Sequence, residues 1–182
     1  MEGIATRYAA GLLSLAREDK IIREYKNWML AFDEIMTSNE TFKTFLTSEF
    51  ISITDKESLI DNINPSSFSY GGNFLKLLVA KKRINYFHAI KKEFVRLANI
   101  DLGIKEGIIY SPLTIADSQV VAISQKIGEL VGCEVELRVQ IDKTLLGGFK
   151  VIVQGQIFDY SLNNRLAKLG QTMLERGDKR AH

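Results

Sequence analysis

Residues 134–141 read EVELRVQI, and this stretch decides the fold class. Four apolar residues alternate strictly with four polar ones, which is the pattern of a strand with one buried face and one wet face. Residues 1–104 show the helical period instead, beginning with Ile4, Tyr8 and Leu12. Because the helical part precedes the strand-forming part, we predict an α+β fold.

The alternating stretch belongs to a small second domain, predicted over residues 105–182. Its first strand is predicted at Ile104–Tyr110, and a helix that stops at Gly132 follows this strand. After the alternating stretch comes a hairpin that turns at Gln154-Gly155. A trailing helix begins near Ser161. We therefore predict a small β-α-β-β domain with a trailing C-terminal helix.

Residues 1–104 are predicted to form a separate helical domain. Thirteen of the 17 aromatic residues lie in this part, whereas nine of the 13 glycines lie from Gly103 onward. Apolar stripes at the helical period alternate with short turns, as in a bundle with short connections. The capping-box spacings Thr37–Glu40 and Thr54–Glu57 are predicted to open the third and fourth helices. We predict an N-terminal six-helix bundle.

The composition offers few residues for catalysis or metal binding. The 182 residues carry 24 Lys and Arg against 22 Asp and Glu, with two His and one Cys. Cys133 cannot form an internal disulfide and has no second thiol with which to bind a metal. Neither Gly71-Gly72 nor Gly147-Gly148 fits a nucleotide-binding motif. No apolar run of about 18 residues is present, so no membrane span is expected. The sequence predicts a protein that is not an enzyme and holds no cofactor and no metal.

The stretch Lys76–Arg96 indicates a different class of function. It concentrates seven Lys and Arg residues against Glu93 alone, with Tyr86 and Phe87 between them. Basic residues close to aromatic ones can bind RNA or an anionic lipid. Here the aromatic residues fall on the apolar helical stripe, and the net charge of +1 of residues 1–104 attracts a polyanion only weakly. A helical RNA- or anionic-lipid-binding adaptor is therefore kept as the alternative function.

The first helix has two apolar faces instead of one. One face carries Ile4, Tyr8, Gly11, Leu12 and Leu15, and the other carries Ala5, Ala9, Leu13 and Ala16. A surface helix of a bundle needs a single apolar stripe about 100° wide. Either this helix is buried on all sides, or one stripe enters the core and the small-residue stripe receives a helix of another protein. The residues alone leave both interpretations open.

Several short motifs, spread in order along the whole chain, point to one family. They are Tyr8-Ala9, segment 73–84 (NFLKLLVAKKRI), Ser111-Pro112-Leu113, segment 145–151 (LLGGFKV), Asp159-Tyr160-Ser161-Leu162 and Arg165-Leu166. Together they resemble the delta subunit of F-type ATP synthases, whose mitochondrial relative is the oligomycin-sensitivity-conferring protein. Lys82, Gln156 and Tyr160 depart from the family pattern, and these departures concern turn geometry.

The resemblance implies a structural subunit of an ATP synthase and not an enzyme. In this family the subunit ties the catalytic head to the peripheral stalk, so that the head does not rotate with the central shaft. The N-terminal bundle would bind the N-terminal helix of an alpha subunit, and the C-terminal domain would contact the b subunits of the stalk. One copy per complex is expected, on the cytoplasmic face of a bacterial plasma membrane. The resemblance implies no nucleic acid and no membrane contact except through the complex.

The resemblance also implies two sets of site residues. The groove for the alpha-subunit helix, between the first and fifth helices, would be lined by Tyr8, Ala9, Gly11, Leu12, Leu15, Phe74, Leu75, Leu78 and Val79. A structural motif would comprise Gly147, Gly148, Asp159, Ser161 and Arg165. Asp159 or Ser161 would accept hydrogen bonds from the N–H groups that begin the last helix. With this resemblance, the docking interpretation of the first helix is favoured.

Overall fold

The computed structural model describes residues 2–63 and 69–169, and over these residues the fold is α+β, as predicted. The helices are α1 (Glu2–Glu18), α2 (Ile22–Ser38), α3 (Glu40–Thr47), α4 (Ile53–Ile63), α5 (Ser69–Ala80), α6 (Phe87–Leu102), α7 (Asp117–Val131) and α8, described over residues 162–169, with a short 3-10 helix at Ile84–Tyr86. The strands are β1 (Lys105–Ser111), β2 (Val135–Ile141), β3 (Lys150–Val153) and β4 (Gln156–Asp159). The chain divides into two compact units, Met1–Leu102 and Gly103–His182.

The first unit contains α1 to α6 and is built around one apolar core. α6 is the central packing partner, because both α1 and α2 lie against it, while α4 packs on α5. The largest fully buried side chains in this core include Tyr25, Phe87 and Phe94. Each of the helices α1 to α6 contributes at least one buried apolar residue, so the unit has a single continuous core.

Two helices of this unit begin at residues other than the predicted caps. Thr37 lies inside α2, and the Asn39 side chain caps α3 by accepting a hydrogen bond from the N–H of Phe42 (3.0 Å). Ser52 Oγ, not Thr54, accepts from a backbone N–H in the first turn of α4 (3.1 Å). Both predicted capping boxes are therefore wrong. Asn and Ser are stronger N-caps than Thr, and each of them stands within two residues of the predicted site.

The second unit is a four-stranded mixed sheet with α7 packed on one face. The strand order is β2-β1-β3-β4, in which β1 and β2 are parallel and the other two pairings are antiparallel. α7 forms the crossover that a parallel pair requires, and it ends at Gly132 in the left-handed conformation, as predicted. The predicted alternating strand is confirmed as β2.

The hairpin between β3 and β4 corrects the predicted strand count. Gln154 and Gly155 both have positive φ, 48° and 81°, which is the geometry of a two-residue type I′ turn. The hairpin therefore contributes two strands, and the described order is β-α-β-β-β followed by α8. The predicted β-α-β-β order is therefore one strand short, although the predicted turn at Gln154-Gly155 is confirmed.

Candidate partner-binding surfaces

α1 turns its small-residue face into the core of the first unit. The buried residues of this helix are Ala5, Ala9, Leu12, Leu13 and Ala16. Their main neighbour is α6, and small side chains allow two helices to approach closely. At the end of this contact the Arg17 guanidinium makes a bidentate ion pair with Asp101 on α6, with Nη2 lying 2.7 Å from Oδ1. The small residues of α1 therefore serve a close contact with α6 of the same chain.

The other apolar face of α1 remains partly open. Ile4 and Tyr8 are half-buried, Gly11 is exposed and Leu15 is 43% exposed. A Cβ added at Gly11 would have no neighbouring atom within 4 Å. The interpretation that α1 is buried on all sides is therefore wrong. The interpretation that its small-residue stripe receives a partner is also wrong in its choice of face, since that stripe packs in the core.

α5 flanks the open face of α1 through an aromatic contact. The rings of Tyr8 and Phe74 meet edge to face, with centroids 6.2 Å apart and planes at 72°. Helical spacing places Tyr70 and Leu77 on the same border of α5 as Phe74. The opposite border of α5 faces α4, because Lys76 makes an ion pair with Asp61 there.

The apolar residues along the adjoining sides of α1 and α5 are here called the α1–α5 trough. Its residues are Ile4, Tyr8, Gly11, Leu15, Tyr70, Phe74 and Leu77. Leu15 and Leu77 are 43% and 44% exposed, and Tyr70 is 50% exposed. Large apolar side chains exposed in adjacent rows are typical of a surface that binds a helix of another protein.

Only some of the predicted groove residues belong to the trough. Tyr8, Gly11, Leu15 and Phe74 line it, with Phe74 only 9% exposed at its floor. Ala9, Leu12, Leu75, Leu78 and Val79 are at most 4% exposed and pack in the core. Sequence reasoning did not include Ile4, Tyr70 and Leu77. Leu77 follows Phe74 by three residues, and this spacing was the available signal.

One end of the trough carries positive charge. The Arg83 Nη1 donates a hydrogen bond to the Tyr8 hydroxyl (2.8 Å), and its guanidinium carbon lies 5.6 Å from the centre of the Tyr8 ring. Arg83 also terminates α5, because its N–H donates to the carbonyl of Leu78 (2.7 Å). Arg7, which precedes Tyr8 on α1, and Lys81, which follows the last residue of α5, are exposed near the same end.

The opposite end of α1 carries carboxylates. Glu18 is exposed and lies one turn beyond Leu15, and Asp19 accepts a hydrogen bond from the Tyr25 hydroxyl (3.1 Å). Burial raises the pKa of Tyr25 above its ordinary value, and Asp19 and Tyr70 raise it further.

The glycine pair of the second unit allows a close contact between two backbone segments. Gly148 has a φ of +76°, and a Cβ there would collide with the carbonyl group of Tyr160. A Cβ at Gly147 would lie 2.7 Å from Cδ1 of Leu162. The N–H of Leu162 donates to the carbonyl of Gly147 (3.0 Å), which joins the start of α8 to the entry of β3.

The polar residues that follow β4 prepare the start of α8. Ser161 is the N-cap residue, and its Oγ accepts from the N–H of Asn164 (3.2 Å). Asp159 accepts from the N–H of Ser161 (2.9 Å), and hydrogen bonding by Ser161 lowers the pKa of Asp159 below its usual value. Arg165 is exposed, and its N–H donates to the carbonyl of Ser161 (3.1 Å). This arrangement fixes the direction of the last helix.

Four of the seven cations in the basic stretch Lys76–Arg96 make ion pairs with carboxylates. The ion pairs are Lys76 with Asp61, Lys82 with Glu49, Lys91 with Asp33 and Arg96 with Glu93. Phe87 is 1% exposed and Tyr86 packs against the core, so neither ring is free to stack on a base. The RNA- or lipid-binding alternative is therefore not favoured. Within residues 2–63 and 69–169, none of the helices is long and apolar enough to cross a bilayer.

The fold defines the class of the chain, which is a two-unit α+β protein with a helical first unit. Over the described residues no group of three or more His, Cys, Asp or Glu side chains could hold a metal ion. Sequence comparison identifies the family. The model of the ATP synthase delta (OSCP) subunit family matches residues 4–173, and the chain therefore belongs to this family. It is accordingly a non-catalytic structural subunit of an ATP synthase.

Relatives named "ATP synthase subunit delta" match over nearly their full length. The one from Bacillus cytotoxicus is 28% identical over 175 residues, which cover 96% of this chain and 97% of the relative. The one from Bacillus mycoides is 27% identical over 173 residues, covering 94% and 96%. The one from Anoxybacillus flavithermus is 28% identical over 168 residues, covering 91% and 94%.

A solved structure supports the fold. One chain of the Toxoplasma gondii mitochondrial ATP synthase hexamer superimposes with a TM-score of 0.59. The alignment covers 93% of this chain and 97% of that chain, at 16% sequence identity. The similarity extends over most of both chains and shows that they share a fold.

Proposed function

We propose that this chain is the stator connector of a proton-translocating F-type ATP synthase. Its first unit, a six-helix bundle, binds the N-terminal helix of an alpha subunit, and its second unit contacts the b subunits of the peripheral stalk. One copy per complex holds the catalytic head still while the central shaft turns. It acts on the cytoplasmic face of a bacterial plasma membrane, and it meets the membrane only through the complex.

The α1–α5 trough is the observation that carries this proposal. It has the dimensions of a helix-in-groove site, because its lining runs from Ile4 to Leu15 on α1, a rise of about 16 Å at 1.5 Å per residue. Gly11 stands at the middle of this length and is open to an approaching backbone. An amphipathic helix of three turns would cover these apolar residues.

In the second unit, α8 offers the exposed apolar residues that a stalk contact requires. Leu162, Leu166 and Leu169 are 44%, 61% and 59% exposed and recur at the helical period. The Ser161 cap and the Gly147-Gly148 contact hold the start of this helix in place. We propose that a b-subunit helix packs on this stripe.

The test of the trough is a calorimetric titration of the full-length protein with a synthetic peptide of its cognate alpha-subunit N-terminus. We expect saturable binding, and we expect Gly11→Trp to abolish most of it while the far-ultraviolet circular dichroism stays unchanged. Ala10→Trp is the matched control, since Ala10 is exposed on the same helix but points away from the trough. Absence of binding to the wild-type protein, or equal losses in both variants, would contradict the proposal.

A further inference from the structure

We infer that the helix docked in the α1–α5 trough carries an Asp or Glu side chain that pairs with Arg83. This inference rests on the proposed function and specifies the chemistry of the partner at one end of the trough. It also sets the direction of the docked helix, with its acidic end near Tyr8 and Arg83 and its other end near Glu18.

Arg83 has donors that the described chain does not use. Its side chain is half-buried, and among residues 2–63 and 69–169 its polar partner is the Tyr8 hydroxyl, not a carboxylate. A guanidinium has five N–H donors in a planar fork that matches the two oxygens of a carboxylate. Tyr8 takes one of them and holds the fork beside the apolar lining of the trough.

Arg83 differs from its neighbouring cations, most of which are paired with carboxylates, while the other two in the stretch, Lys81 and Lys92, are exposed. Four other cations of the same stretch, Lys76, Lys82, Lys91 and Arg96, each lie within 4.0 Å of a carboxylate oxygen on the chain itself. Arg83 is instead held by a neutral hydroxyl at the edge of a docking surface. Such a hydrogen bond orients the guanidinium and leaves its charge available to a ligand.

The charges around the trough favour one direction for a docked helix. Arg7 and Lys81 add positive charge at the Arg83 end. Glu18 lies ten residues beyond Tyr8 on α1, which is about 15 Å along the helix. A partner with its carboxylate over Arg83 therefore meets attraction at that end, whereas the reversed helix would bring its carboxylate to Glu18.

The experiment is a double-mutant cycle between full-length protein and peptide, measured by calorimetry. The probe is the cognate alpha-subunit N-terminal peptide, with each of its acidic residues replaced by the matching amide in turn. Against the wild-type protein, one replacement is expected to weaken binding by about tenfold. Against Arg83→Met, the same replacement is expected to have almost no effect, because the partner charge is already gone. Lys126→Gln, an exposed lysine of α7, is the control for the change in net charge.

Two outcomes would overturn the inference, and they are distinguishable. If the parent peptide does not bind the wild-type protein, the proposed function fails and the inference fails with it. If the peptide binds, but every acidic replacement has the same effect on wild type and on Arg83→Met, only the inference fails. Should Arg83→Met lose its circular dichroism signal, Arg83→Lys replaces it. This variant keeps the charge but loses the fork, so it should reduce the effect of the sensitive replacement.

Discussion

Replacing Gly11 by alanine should stabilise the free protein, although glycine stands at this position. Gly11 lies inside α1, its φ is not positive, and an added Cβ would meet no atom within 4 Å. Glycine in a helix interior is about 0.8–1.0 kcal/mol less favourable than alanine, mainly because it loses more backbone entropy on folding. Since nothing opposes the added methyl group, we expect nearly the full gain, about 1 kcal/mol.

The single Trp28 makes this gain measurable in the first unit alone. Trp28 packs against Phe32 and Phe87, with ring centroids 6.1 Å and 6.4 Å away, so its fluorescence reports the unfolding of this core. For a domain of this size, a change of 1 kcal/mol shifts the melting temperature by roughly 4–8 °C. We therefore expect Gly11→Ala to melt at a higher temperature than the wild type by about this amount.

A lower melting temperature for Gly11→Ala would refute the reasoning, because it would mean that Gly11 faces a neighbour in solution. Gly3→Ala is the control. Gly3 is also open, but it lies in the first turn of α1, where helices fray and the gain should be smaller. If Gly3→Ala were to stabilise the protein more than Gly11→Ala, the helix-interior argument would fail.

Three further predictions concern other contacts. Gly148→Ala should destabilise the second unit by at least about 2 kcal/mol, because alanine is strained at positive φ and its Cβ would collide with the Tyr160 carbonyl; hydrogen exchange of the β3 amides should accelerate. Ser161→Ala removes the N-cap of α8 and should lower the free energy of unfolding by about 1 kcal/mol. Ser161→Asp should retain most of this stability when it is measured by the same hydrogen-exchange experiment. Arg17 lowers the pKa of Asp101 through a hydrogen bond. At a pH above the ordinary Asp pKa of about 3.9, this pair should therefore stabilise the folded protein. The stabilisation should be lost as the pH falls through the lowered pKa that Asp101 has in the folded state. Urea unfolding followed by Trp28 fluorescence should therefore separate Asp101→Asn from wild type at pH 7 and not at pH 2; a constant difference would contradict the ion-pair origin.

The sequence predicted the elements of the fold better than it predicted which residues are exposed. β2 and the end of α7 follow from strict alternation and from one glycine, which are local signals. In contrast, α5 contains the run Phe74 to Val79, in which five of six residues are apolar. Because nearly every residue of this run is apolar, its sequence shows no helical period that would distinguish the buried side of α5 from the exposed side. The contacts of Tyr8 with Phe74 and of Lys76 with Asp61 make this separation, and both depend on the tertiary structure.

The same reason explains why the small-residue face of α1 was assigned to a partner. Ala5, Ala9 and Ala16 do allow a second helix to come close, but sequence cannot say whether that helix belongs to the same chain. In the structure it is α6, whose Ala98 is fully buried in the same core. Close packing against α6 has a consequence for the outer face. The distance between two packed helices depends on the side chains at their contact. The small residues of α1 therefore allow α1 and α6 to pack closely.

The outer face therefore has a different shape from the one expected of a small-residue stripe. Tyr8 and Leu15 lie on the same face of α1 as Gly11, which has no side chain of its own, so the space above Gly11 is open. If the proposed helix docks here, it can fill this space with one large apolar side chain, in the manner of a knob entering a hole. Alanine at this position would partly fill the space, so the substitution that stabilises the free protein should also weaken docking. A glycine that costs stability in the free protein is thus accounted for by the shape of the surface it leaves open.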